Sequence, residues 1–121
     1  MHAGIQTDAA RAFLLEHGVD CADGRGAVDA DNELLQQMLA VQSSDDLLWI
    51  RHGYWDAPTG LLSAEGKGPV VVSGHTPTVS LGRYCEVGGL AGLDEESGRG
   101  QIVRLGGEDT AGVPDRIDID C

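Results

Sequence analysis

The fold is decided by the stretch Pro69-Val70-Val71-Val72-Ser73-Gly74-His75-Thr76-Pro77. Its first half is apolar on both faces, as expected of a strand buried within a sheet. Gly74 lets the backbone turn tightly behind that strand, and Thr76 continues the turn. The turn places the imidazole of His75 at the carboxyl edge of the sheet, where α/β proteins build their sites. The stretch therefore predicts a buried strand with a candidate site at its end.

Upstream of this strand the sequence has the 3.6-residue period of amphipathic helices. Thr7 is predicted to cap a helix that runs to about His17. Either Asp29 or Asp31 is predicted to cap a second helix that ends near Val41. A short helical turn follows through residues 46–50, and residues 52–68 are predicted to be irregular.

Downstream of the strand the pattern changes to short alternating segments between glycine-rich, acidic loops. Residues 83–87, 101–105 and 116–120 alternate in polarity and are predicted to be half-buried strands. The stretches between them, residues 88–100 and 106–112, are predicted to be loops. On the last strand, the acidic residues are interpreted as a solvated outward face, with a hard-cation site as the less favoured alternative. They are Asp115, Asp118 and Asp120.

These segments predict an α+β fold of the α/β sandwich type, with amino-terminal helices followed by a mainly antiparallel or mixed sheet. Residues 1–68 form its helical and loop portion, and residues 69–121 its strand-rich portion. No composition shift or linker divides the chain further. We therefore expect residues 1–121 to belong to a single, partial domain.

The charge and cysteine content restrict the partners. With 8 basic and 20 acidic residues the chain carries a net charge of −12, which excludes a basic surface for nucleic acid and disfavours anionic membranes. The three cysteines form no CxxC pair, which is typical of a reducing compartment. No signal peptide or apolar run of about 20 residues is present. We therefore expect a cytoplasmic protein that binds neither nucleic acid nor membrane.

Four segments, in order, resemble those of one enzyme family. They are His2-Ala3-Gly4-Ile5, Leu47-Leu48-Trp49-Ile50-Arg51, Val71-Val72-Ser73-Gly74-His75-Thr76-Pro77 and Ile117-Asp118-Ile119-Asp120. In this order they resemble the carboxyl-terminal half of a calcineurin-like metallophosphoesterase of the serine/threonine protein phosphatase type. The resemblance implies hydrolysis of phosphoric monoesters at a dinuclear site of Mn, Fe or Zn.

The resemblance also implies roles for particular residues. His2 and His75 would be metal ligands, and neutral imidazole suits these metals. Gly4 would form the turn after His2, as Gly74 and Thr76 form the turn around His75. Apart from the resemblance, Arg51 is interpreted as a surface arginine or as the partner of a structural ion pair with Asp45 or Asp46. The alternative is that its guanidinium grips a substrate phosphate and that His52, which is otherwise interpreted as solvent-facing, contacts the substrate beside it.

The chain departs from the family in what it lacks. The remaining metal ligands and the catalytic residues belong to Asp-x-His, Gly-Asp-x-x-Asp-Arg and Gly-Asn-His-Glu segments, and none of these occurs here. We therefore expect a phosphatase fragment that is inactive or weakly active alone, acting on a phosphorylated substrate only when the site is complete. The alternative is a non-catalytic binding or assembly module. Because an apolar sheet face would be left bare, we expect self-association or pairing with an amino-terminal half.

Overall fold

The computed structural model describes residues 3–49, 54–55, 57–78, 93–94 and 99–120. Three helices come first: α1 (Thr7–Glu16), α2 (Asn32–Ala40) and α3 (Ser44–Trp49). Five short strands follow: β1 (Val71–Ser73), β2 (Leu93–Asp94), β3 (Arg99–Gly100), β4 (Val103–Leu105) and β5 (Arg116–Asp118). The α+β class and the order of helices before strands are as predicted.

The helix starts follow from side chains that accept the first free backbone N–H groups. Asp31, rather than Asp29, caps α2, because its carboxylate accepts a hydrogen bond of 2.8 Å from the N–H of Leu34. Ser43 caps α3 through the N–H of Asp46. The predicted cap at Thr7 was wrong. The side chain of Gln6 caps α1 instead, because its carbonyl oxygen reaches the N–H of Ala9 at 3.1 Å.

The main sheet has three strands in the order β1-β5-β4, so β5 lies at its centre. The pairing of β1 with β5 is parallel and that of β4 with β5 is antiparallel, which makes the sheet mixed as predicted. Ser73 lies opposite Asp118, and Asp118 lies opposite Val103. The carboxyl ends of β1 and β5 therefore meet at one edge, where the sequence predicts a site.

One face of this sheet packs on the helices. Val71, Val103 and Leu105 are buried together with Ala10 and Leu14 of α1 and with Met38 of α2. Trp55, which is 1% exposed, belongs to the same core, as expected of an aromatic residue in this chain. The core thus combines the apolar side of α1 and α2 and the inward face of the sheet with residues from the loops, such as Ile5 and Leu61.

The opposite face of the sheet stays partly uncovered. Val72 is 40% exposed, Ile102 is 45% exposed and Ile119 is 52% exposed. Val72 alternates with the buried Val71 and Ser73 of β1, so it points away from the helices. Ile102 lies directly before β4 and Ile119 directly after β5, each next to a buried strand residue. Exposed aliphatic residues grouped on one sheet face are typical of a surface that another element covers.

Some predicted elements differ from the structure. β2 pairs with β3 as an antiparallel two-stranded sheet inside residues 88–100, which were predicted to be a loop. The described part of 52–68 contains no helix or strand, as predicted. The strand predicted at 83–87 lies outside the described residues. Among the described helices, none has the length and apolar character needed to cross a membrane.

Candidate functional site at the carboxyl end of the sheet

The turn behind β1 holds His75 in a strained conformation. The N–H of Thr76 donates to the carbonyl oxygen of Gly74 at 2.7 Å, and His75 between them has φ 65°. An i→i+2 hydrogen bond around a residue with positive φ is the rare form of the γ-turn. The predicted turn is present, but its left-handed residue is His75. Such strain in a non-glycine residue concentrates at functional sites.

Both ends of this turn are tied to the chain that continues β5. The carbonyl oxygen of Ser73 accepts from the N–H of Ile119 at 3.0 Å, and the N–H of Thr78 donates to the carbonyl oxygen of Asp120 at 2.9 Å. His75 is half-buried, and its Nε2 atom is out of contact with solvent. These bonds hold the turn that carries His75 next to the end of β5. The sequence predicts this position at the sheet edge for a histidine that follows a buried strand.

Asp118 is the last residue of β5 and lies at the same sheet edge. Its burial was not predicted from the sequence. Its side chain is fully buried, and Asp115 is only 2% exposed, so the interpretation of these residues as a solvated face was wrong. Oδ1 of Asp118 accepts from the N–H of Asp120 at 3.1 Å, whereas Oδ2 has no hydrogen bond within the described part of the chain. Burial raises the pKa of Asp118 to about 6, because the charged form loses its hydration.

This raised pKa predicts a pH-dependent stability. Between pH 4 and pH 6 the folded protein holds a proton on Asp118 that the unfolded chain has released, so stability falls as pH rises through this window. The loss should reach about 2–3 kcal/mol, from roughly two pKa units at 1.36 kcal/mol each. We therefore expect Asp118→Asn to be more stable than the wild type above pH 6 and to lose this advantage near pH 4. Urea unfolding of both proteins across pH 4–7 measures the difference, and a constant difference would contradict the prediction.

Tyr54 contacts both the segment that follows His2 and β1, the strand that precedes His75. A Cβ built on Gly4 would lie 2.7 Å from the ring of Tyr54, so the two residues are in close contact. The hydroxyl of Tyr54 shares a long hydrogen bond of 3.4 Å with Oγ of Ser73. Burial raises the pKa of Tyr54 to about 12, which keeps this hydroxyl protonated at neutral pH. Nothing in the sequence pattern indicated Tyr54, because its contacts are with distant segments.

Of the predicted ligands and substrate contacts, His2, Arg51 and His52 lie outside the described residues. Their neighbours are close together, however. The N–H of Ala3 donates to the carbonyl oxygen of Leu47 at 2.9 Å, which places the chain beside His2 against α3. Tyr54, three residues after Arg51 in the chain, contacts Gly4, so the structure brings both flanks of 50–53 to the chain that follows His2.

Arg116 fixes this arrangement from the opposite end of β5. Its guanidinium donates to the carbonyl oxygens of Tyr54 and Trp55, and its Nε lies 3.3 Å from Oδ1 of Asp115. Oδ2 of Asp115 accepts from the N–H of Thr59 at 2.6 Å. Arg116 is 5% exposed, and these hydrogen bonds attach Tyr54, Trp55 and Thr59 to the start of β5.

The donor atoms at this edge are of the types that first-row divalent cations accept. His75 offers an imidazole nitrogen, and Asp118 offers a buried carboxylate oxygen that has no hydrogen bond to any described residue. In the described ranges no group of three or more histidine, cysteine or acidic side chains is placed to hold a metal ion. His75 and Asp118 are thus one nitrogen donor and one oxygen donor at the same sheet edge.

Comparison of the chain with protein-family models, with curated proteins and with solved structures gives no match.

Proposed function

We propose that this chain carries part of the site of a metal-dependent phosphatase, in which His75 is a metal ligand. The observation that supports this most directly is the strained γ-turn at the carboxyl end of β1. It holds His75 at the sheet edge at which Asp118 also lies, and Oδ2 of that buried carboxylate has no hydrogen-bond partner among the described residues. Strain of this kind is typical of residues whose backbone position is fixed for a function.

His2 would join His75 at this edge. Ala3 and Gly4, which follow it, are held against Leu47 and Tyr54, and Tyr54 contacts Ser73 just before the His75 turn. Mn, Fe or Zn, when bound, would polarise the phosphoryl oxygens and supply an activated water. Arg51 would bind the phosphate oxygens and His52 would contact the substrate. The chain's own contribution is to hold nitrogen and oxygen donors in fixed positions.

The test is hydrolysis of an aryl phosphate with and without Mn²⁺. We expect weak, Mn²⁺-dependent turnover in the wild type, because the upstream ligand segments of the family are absent. His75→Ala should abolish it. His17→Ala is the matched control, because His17 lies exposed at the end of α1 and stacks on Phe13. A folded wild-type chain that neither turns over the substrate nor binds Mn²⁺, or equal losses of turnover in both variants, would contradict the proposal.

The alternative function is a non-catalytic assembly module, and it is favoured by the exposed sheet face of Val72, Ile102 and Ile119. A second copy of this chain, or an amino-terminal half of the same fold, would cover that face. Sedimentation of the sample used for the activity assay distinguishes these cases. A monomer at micromolar concentration that also lacks turnover would contradict self-association as well as catalysis.

A further inference from the structure

Asp118 is a buried carboxylate whose negative charge is not compensated within the described part of the chain. Its side chain is fully buried, yet only Oδ1 accepts a hydrogen bond. A carboxylate removed from water costs several kcal/mol unless a positive group or several donors balance it. A buried carboxylate that carries this desolvation cost in the folded state is expected to be stabilised by a positively charged group that binds next to it.

The protein's own cations do not provide this balance among the described residues. Arg116 is the buried cation of β5, and its Nε and Nη1 contact Asp115 and the carbonyl oxygens of Tyr54 and Trp55. These partners lie at the start of β5, whereas Asp118 lies at its end. Among the described residues, the charge of Asp118 is therefore left without a compensating cation.

The carboxylate of Asp118 is directed toward the edge at which His75 lies. Its Oδ1 reaches forward to the N–H of Asp120, so the side chain leans along β5 toward the carboxyl end. Ser73 lies opposite Asp118, and the turn that carries His75 begins directly after Ser73 and is bonded to Ile119 and Asp120. One oxygen donor and one nitrogen donor therefore belong to the same sheet edge.

We propose that Asp118 supplies an oxygen ligand to the divalent cation that His75 holds. This inference rests on the proposed function, because it needs a cation at His75. It adds a carboxylate from β5 to the imidazole of His75, so that ligands come from the carboxyl ends of both parallel strands. A carboxylate is the ligand type that balances the charge of a divalent cation better than neutral imidazole alone.

The experiment is a Mn²⁺ titration of the full chain followed by electron paramagnetic resonance, with the wild type, Asp118→Asn, Asp120→Asn and His75→Ala. Replacing Asp118 should weaken Mn²⁺ binding at least about tenfold. Removing a residue that only hydrogen-bonds to a metal ligand already costs about tenfold in metal affinity, and the loss of a ligand should cost at least as much. Asp120→Asn is the matched control, because it removes the same charge from a half-buried residue two positions along. It should leave the affinity unchanged.

A second measurement uses only the wild-type chain and so does not depend on the folding of a variant. Substoichiometric Mn²⁺ should broaden the nuclear magnetic resonance signals of Asp118 and His75 before those of Asp31, the cap of α2. Unchanged Asp118 signals, or equal losses of affinity in Asp118→Asn and Asp120→Asn, would overturn the inference and leave the role of His75 standing. A wild type that binds no Mn²⁺, or whose affinity is unaffected by His75→Ala, would overturn the proposed function and this inference together.

Discussion

Replacing Gly4 with alanine should destabilise the protein by about 2–6 kcal/mol. The added Cβ would lie 2.7 Å from Cδ1 and Cε1 of Tyr54, and the Tyr54 side chain is fully buried. Overpacking of this kind costs about 1–3 kcal/mol. The backbone adds a further 1–3 kcal/mol or so, because Gly4 has φ 153°, which side chains other than glycine rarely adopt.

The matched control for this prediction is Gly18→Ala. Gly18 also has a positive φ, 87°, but a Cβ there would meet nothing within 4 Å. Gly18→Ala should cost only about 1–2 kcal/mol, which is the free energy of placing a residue with a Cβ in the left-handed conformation. Thermal and urea unfolding of both variants measures the two values. Similar losses would mean that the contact with Tyr54 does not determine the position of the chain beside His2.

Asp115→Ala should also cost about 3–5 kcal/mol. The substitution leaves the guanidinium of Arg116 buried without its carboxylate, and it removes the acceptor of the Thr59 N–H. Breaking a buried ion pair by removing one partner is costly because the remaining charge stays out of water. The free energy of unfolding, obtained from urea titrations at neutral pH, checks the value.

Asp8→Ala serves as the control for this second effect. Asp8 pairs with Arg11 at 2.8 Å, a shorter distance than the 3.3 Å between Asp115 and Arg116, but both partners are well exposed to solvent. An exposed pair is worth about 0–1 kcal/mol. A loss at Asp8 as large as that at Asp115 would show that burial does not set the strength of these pairs.

Local patterns in the sequence predicted the helices well, because a helix is stabilised largely by residues close together in the chain. The apolar spacing of α2 and its cap at Asp31 both follow from a few neighbouring side chains. The cap of α1 was predicted at Thr7, yet Gln6 takes that role. The backbone N–H of Gln6 is bonded to the side chain of Gln42, a contact that no local pattern indicates.

The orientation of β5 could not be predicted for a related reason. Alternation in residues 116–120 shows that the two faces of the strand differ, but not which face is inside. The usual choice puts the isoleucines inward, whereas the structure buries Arg116 and Asp118 and leaves Ile119 52% exposed. The ion pair with the neighbouring Asp115 and the hydrogen bonds to the Tyr54 and Trp55 carbonyls make the burial of Arg116 possible, and the two carbonyl groups are distant in sequence.

The candidate site was predicted in part. His75 could be located because a buried strand followed by Gly-His is a local signal. Tyr54 and the buried state of Asp118 could not, because they arise from contacts between segments far apart in the chain. The metal role of His75 stays a prediction, as do those of His2, Arg51 and His52.

The central position of β5 has a consequence for synthesis on the ribosome. β5 comes last among the described strands, yet both β1 and β4 form their hydrogen bonds with it. The guanidinium of Arg116 must also meet carbonyl oxygens 61 and 62 residues earlier in the chain. Contacts of such long range slow folding. The helices can therefore form while the chain is being made, but the sheet and the site at its edge can assemble only after residues 116–120 have left the exit tunnel.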